Sequence, residues 1–201
     1  MRALACEDLG MASLTDPIVV TVGSTEVFVS SERPPAWGFY EERASLVDDL
    51  TDRVPDGALF VAGIRTEPRD APEVLVAVRY APSVGGFPPG VLIVSETGIA
   101  FVGAGTTLLA YQLGADPRRL WEDSAELGFW GWRLHGETVV MSAELELAAW
   151  DISGSKLWTR FVEPPWTYEI ASGQVRLDIM GDVTLFGLRE GPSAWPHTFR
   201  Q

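Results

Sequence analysis

The sequence predicts a mainly β protein made of small antiparallel sheets, with one short helix near its N-terminus. Three observations lead there. The stretch Trp130 to Val162 parses into four short strands, Trp130 to Leu134, Thr138 to Ala143, Leu145 to Trp150 and Lys156 to Val162, with turns at His135-Gly136 and Ser153-Gly154-Ser155. Apolar positions then recur at a spacing of about 36 to 39 residues through the second half of the chain. Breaks between strands fall on glycine, proline, serine and aspartate, because the chain contains no asparagine.

The elements follow in order. Met1 to Asp16 has no clear period and reads as a loosely attached tail, with Asp16-Pro17 marking entry into ordered structure. Ile18 to Val22 and Glu26 to Ser30 are rich in β-branched residues and flank Gly23-Ser24-Thr25, a hairpin signal. Phe39 to Asp52 carries a helical pattern, with Tyr40, Ala44, Val47 and Leu50 spaced to share one face and Glu41, Glu42, Asp48 and Asp49 turned to water. Val54-Pro55-Asp56-Gly57 ends it. Ala58 to Arg65 and Val74 to Tyr80 form a second strand pair across the charged connection Thr66 to Pro72. The glycine- and proline-rich Ala81 to Gly90 marks a long loop or a boundary between an N-terminal module, 1–90, and a repetitive region, 91–201, expected to fold together as one compact unit.

Within that region three segments superpose, beginning at Gly98, Glu137 and Gln174. Ala110-Tyr111 falls on Ala149-Trp150 and on Leu185-Phe186, and Val102 falls on Met141 and Leu177. The first two copies end in Leu120-Trp121 and Leu157-Trp158, and the third in Gly191-Pro192-Ser193-Ala194-Trp195, a divergence expected of a terminal repeat. From Val91 to Trp195, about half of the chain, this pattern resembles the PQQ-like, more broadly WD40-like, β-propeller repeats. The resemblance implies antiparallel propeller-like blades in a small or partial β-propeller, and a scaffold that serves as a binding platform. Three blades are visible where closed rings have about four to eight, so the N-terminal strands are expected to complete the β-structure. No cofactor is carried over, because the quinone enzymes of that group need adjacent cysteines and this chain has only Cys6.

Composition narrows the partners. The formal charge of −13 comes from 28 acidic and 15 basic residues and repels nucleic acid and anionic membrane, while favouring a basic protein partner. With no apolar run of membrane length and no leader-like N-terminus, a cytoplasmic location is expected. Cys6 has no partner for a disulfide.

The pattern names no catalytic residue and no metal site. His135 and His197 stand far apart, and His135-Gly136 reads as a turn. Gly103-Ala104-Gly105 lies between strands, not before a helix, so it cradles no phosphate. Ser153-Gly154-Ser155-Lys156 has the Ser-x-x-Lys spacing of some acyl-transfer enzymes but occupies a turn. Glu144 and Glu146 alternate with Leu145 and Leu147 and would share one sheet face, which a solvated strand explains. Of the 8 tryptophans, Trp121 and Trp166 are candidate contacts; the rigid Glu163-Pro164-Pro165 connection either presents Trp166 at the surface or, the favoured reading, leaves it to plug a groove between blades. The expected function is therefore a non-catalytic protein-binding or regulatory scaffold, an inhibitor or immunity-type protein for a basic partner, contacting it through Trp166, Glu163, Trp121, Glu144 and Glu146. Two alternatives stand beside it. One is a hydrolase using Glu144, Glu146 or Asp178 with a divalent cation, and the other a structural protein that self-associates through edge strands as a homo-oligomer.

Overall fold

The computed structural model describes residues 17–82 and 88–193. Cys6, His197, Ala194-Trp195, the expected tail Met1 to Asp16 and part of the Ala81 to Gly90 connection lie outside the described residues. The protein is mainly β, with four sheets and one helix among the described residues. The first sheet holds β1 (Ile18–Val22), β2 (Thr25–Ser30), β3 (Leu46–Leu50), β4 (Ala58–Arg65) and β5 (Val74–Tyr80), in the order β1-β2-β4-β5-β3. The helix α1 (Trp37–Arg43) precedes β3. The second sheet is the meander β6 (Gly90–Val94), β7 (Ile99–Ala104), β8 (Thr107–Gln112) and β9 (Arg118–Ser124). The third is β10 (Phe129–His135), β11 (Thr138–Ala143), β12 (Glu146–Asp151) and β13 (Lys156–Phe161), and the fourth is β14 (Trp166–Ala171), β15 (Gln174–Ile179) and β16 (Asp182–Gly187).

The sheets stack face to face in chain order. Along β4 and β5, side chains alternate between two cores, as a pleated strand requires. Phe60, Ala62, Ile64, Val74, Val76 and Val78 meet the second sheet, while Val61, Leu75 and Ala77 meet Trp37 and Tyr40 of α1. Both faces are thus covered, which is why these strands read as nearly continuous apolar runs. A second core joins the second and third sheets, and a third joins the third and fourth. The first core contains residues from both sides of position 90. Among the described residues no apolar cluster joins the fourth sheet back to the first.

The structure departs from the sequence expectation between Phe39 and Asp52. The helix expected over Phe39 to Asp52 stops at Arg43, Ala44 is extended (φ −61°, ψ 138°), and Leu46–Leu50 is a strand. That strand runs parallel to β5, with Leu46 opposite Val74 and Leu50 opposite Val78, so the first sheet is not purely antiparallel. The reason is long-range. The open edge of β5 offers a ladder that starts where Leu46 N–H donates to the Glu73 carbonyl (2.9 Å), and Leu46 and Leu50 then face one core while Val47 faces the other.

The aligned repeat positions occupy equivalent rungs. Val102 pairs with Leu109, Met141 with Ala148 and Leu177 with Thr184, and the second and third sheets share a bulge, at Ala110/Tyr111 and Ala149/Trp150. Trp121 and Trp158 also play one role twice: each indole N–H donates to a carbonyl of the next sheet, Gly154 (2.6 Å) and Leu188 (2.7 Å). Between the first and second sheets a polar network does the equivalent work. Asp48 accepts from the Tyr111 hydroxyl (2.8 Å) and from Arg119 (3.0 Å), and Arg53 pairs with Glu122. The Arg53 hydrogen bond holds the Glu122 carboxyl below its usual range, and burial together with Asp48 pushes the Tyr111 phenol up.

Candidate functional site

A cleft of about 340 Å³ opens at one end of the first three sheets. Its walls are the end of β5 (Arg79, Tyr80) with Ala81, Pro82 and Val54, the β7–β8 turn around Gly105, the Leu127-Gly128 loop before β10, and Glu144. Backbone chemistry builds it. Gly105 sits at φ +59°, and a Cβ there would lie 2.7 Å from the Tyr80 Cβ, so only glycine lets the hairpin close onto β5. The hairpin carbonyls of Thr106 and Gly105 accept from Ala125 (2.9 Å) and Phe129 (2.7 Å), which drapes the 125–129 loop across it.

The same loop is held from the third sheet. Glu144 N–H donates to the Gly128 carbonyl (3.0 Å) and Leu145 N–H to the Glu126 carbonyl (3.1 Å). The Glu146 carboxylate accepts from Glu126 N–H (3.0 Å) and from the Thr159 hydroxyl. Clamped on both flanks, Leu127 protrudes at the rim, 51% exposed and at φ 57°. A left-handed leucine costs roughly 1 kcal/mol, and such strain gathers at functional loops.

The site residues expected from sequence are distributed unevenly. Glu144 lines the cleft, half-buried, and its carboxylate has no hydrogen-bond or ion-pair partner among the described residues. Glu146 is buried (4% exposed) and works behind the loop; the two glutamates do not share a sheet face, because Glu144 and Leu145 form the bend between β11 and β12. Trp166 is buried, the favoured of the two sequence readings, and not presented at the surface. It stacks on Trp130 (centroids 5.1 Å, 4° apart), and its indole N–H donates to the Glu144 carbonyl (3.0 Å). The gain in buried aromatic area outweighs the rigidity of the prolines. Glu163 is exposed on that connection and Trp121 stacks on Trp150 (5.5 Å), both away from the cleft walls.

Of the carboxylates of the alternative reading, Asp178 accepts from Gly181 N–H (2.8 Å) and faces Arg176, and no group of three or more His, Cys, Asp or Glu placed to hold a metal occurs among the described residues. Ser153 and Ser155 donate to Asp151 Oδ1 (2.9 Å each) in the turn between β12 and β13. Sequence reasoning missed Leu127, Tyr80, Arg79 and Gly105. Only the glycine carried a signal, and it read as an ordinary hairpin turn.

No protein-family model matches the chain. No curated protein matches it either. Among solved structures the chain is similar to the computationally designed Ika8 protein, at 11% identity and a TM-score of 0.43. That match covers 84% of this chain and 44% of the designed one, so the chain spans less than half the length of that neighbour. No helix among the described residues is long and apolar enough to cross a membrane.

Proposed function

We propose that the four sheets are blades of an open, partial β-propeller of the PQQ-like or WD40-like kind, and that the chain is a cytoplasmic, non-catalytic scaffold that binds a basic protein through the cleft above its first three sheets. One observation carries the reading: Leu127 is held out at the rim in a strained conformation by hydrogen bonds from two sheets, over a cleft of ligand-binding size. An exposed apolar anchor on a rigid frame is what a recognition surface needs. The net charge of −13 would speed encounter with a basic partner.

Leu127→Gly tests it, because it removes the anchor and relieves the left-handed strain together. The variant is expected to be as stable as the parent or more so, by up to about 1 kcal/mol in urea unfolding. Its affinity for peptides selected from a random library on the parent protein should fall at least about tenfold. Unchanged affinity would remove the cleft from the binding surface.

A second reading, self-association, is supported by β16, the edge of a three-stranded sheet, on which Leu185 is 70% and Val183 43% exposed. Sedimentation of the intact chain decides it, with a stable dimer required.

A further inference from the structure

Resting on the reading that the cleft binds a protein partner, we infer that its occupant is a single long cationic side chain, arginine or lysine, with Glu144 as its counter-ion. The cleft, about 340 Å³, lies at the small end of ligand pockets and suits one long side chain with its flanking backbone. Its walls set the apolar surfaces of Tyr80, Pro82 and Leu127 beside one carboxylate, that of Glu144. That is the division a lysine or arginine side chain presents, an apolar stem ending in a charge.

The carboxylate is positioned in advance. Glu144 is fixed through its own N–H to Gly128 and through its carbonyl to the Trp166 indole, so its backbone needs no ordering on binding. Its charge is uncommitted, since no cation among the described residues pairs with it. Arg79, the other ionisable side chain of opposite sign on the walls, donates to the Gly57 carbonyl (2.8 Å). It stands on the first sheet and Glu144 on the third, with the β7–β8 hairpin between them. A cation is thereby directed to the Glu144 wall, while the remaining Arg79 donors can meet carbonyls of the incoming backbone. The overall acidic field acts in the same direction.

The test uses the intact chain and the tightest peptide from the random-library selection. That peptide should contain arginine or lysine at one indispensable position. Replacing the residue by citrulline or norleucine, and separately making Glu144→Gln, should each weaken binding about tenfold, and the two together no more than either alone. Leu127→Gly serves as the control for occupancy of the cleft. If Leu127→Gly weakens binding but Glu144→Gln leaves the preference for the cationic peptide intact, or if the selected peptides carry an indispensable acid, the counter-ion inference fails while the binding reading stands. If neither variant changes affinity, or no peptide is selected, both fail.

Discussion

Trp150→Ala should destabilise the protein by about 3–5 kcal/mol, a large fraction of the roughly 5–15 kcal/mol that holds a folded domain together. Trp150 is 1% exposed in the core between the second and third sheets. It stacks on Trp121 (5.5 Å, 18°), meets Trp132 edge-on (5.4 Å), and lies under the Lys156 ammonium (5.1 Å). Truncation therefore removes one large side chain and strips contacts from two others. Urea unfolding followed by far-ultraviolet circular dichroism measures the loss without relying on tryptophan emission. Trp150→Tyr is the informative companion, because Tyr111 fills the aligned position of the second sheet. It should cost clearly less than the alanine. A loss under about 1 kcal/mol for Trp150→Ala would mean that this core does not hold the two sheets together.

Glu146→Leu is expected to cost about 2–4 kcal/mol, although it replaces a buried charge by an apolar side chain of similar size. The carboxylate is 4% exposed and accepts from two groups, Glu126 N–H and the Thr159 hydroxyl, which would both be left without it. Lys156, 3.8 Å away, keeps its second partner Asp123 (2.9 Å), so little of the loss is ionic. Glu146→Gln retains a carbonyl acceptor and should recover roughly half of the loss. Because Glu126 begins the clamped loop, Glu146→Leu should also weaken peptide binding from behind the cleft. Equal stability of parent and leucine variant, again in urea, would contradict the structural role assigned to this carboxylate.

The strands were legible wherever local chemistry and tertiary packing ask for the same thing. Ala58 to Arg65 and Val74 to Tyr80 are dense in apolar residues bounded by turn signals and sit at the centre of a covered sheet, and their bounds agree with the structure residue for residue. The Leu46–Leu50 segment was not legible, because Leu46, Val47 and Leu50 fit a helical face while Asp48 interrupts the alternation of a strand. The vacant edge of β5 decides between them, and nothing local to Leu46 records that edge. For Trp166 the sequence favoured burial without naming what it packs on, for a related reason. Its neighbours in sequence are exposed prolines, but its stacking partner Trp130 comes from β10. The cleft was the least legible feature. Leu127 takes a backbone conformation that its own side chain disfavours, imposed by hydrogen bonds that start on Gly105, Glu144 and Glu146. Such a residue carries no mark in a sequence until the groups that clamp it are known.

The most direct test of the cleft as the binding surface is a nuclear magnetic resonance titration of the leucine-methyl-labelled intact chain with the selected cationic peptide. The methyl groups of Leu127 and the amides of Gly105, Gly128 and Glu144 should shift together and saturably, with Leu185 on β16 unaffected. Saturable shifts centred on Leu185 and Val183, with Leu127 unmoved, would contradict the account and make the open edge of the fourth sheet the surface at which this protein meets its partner.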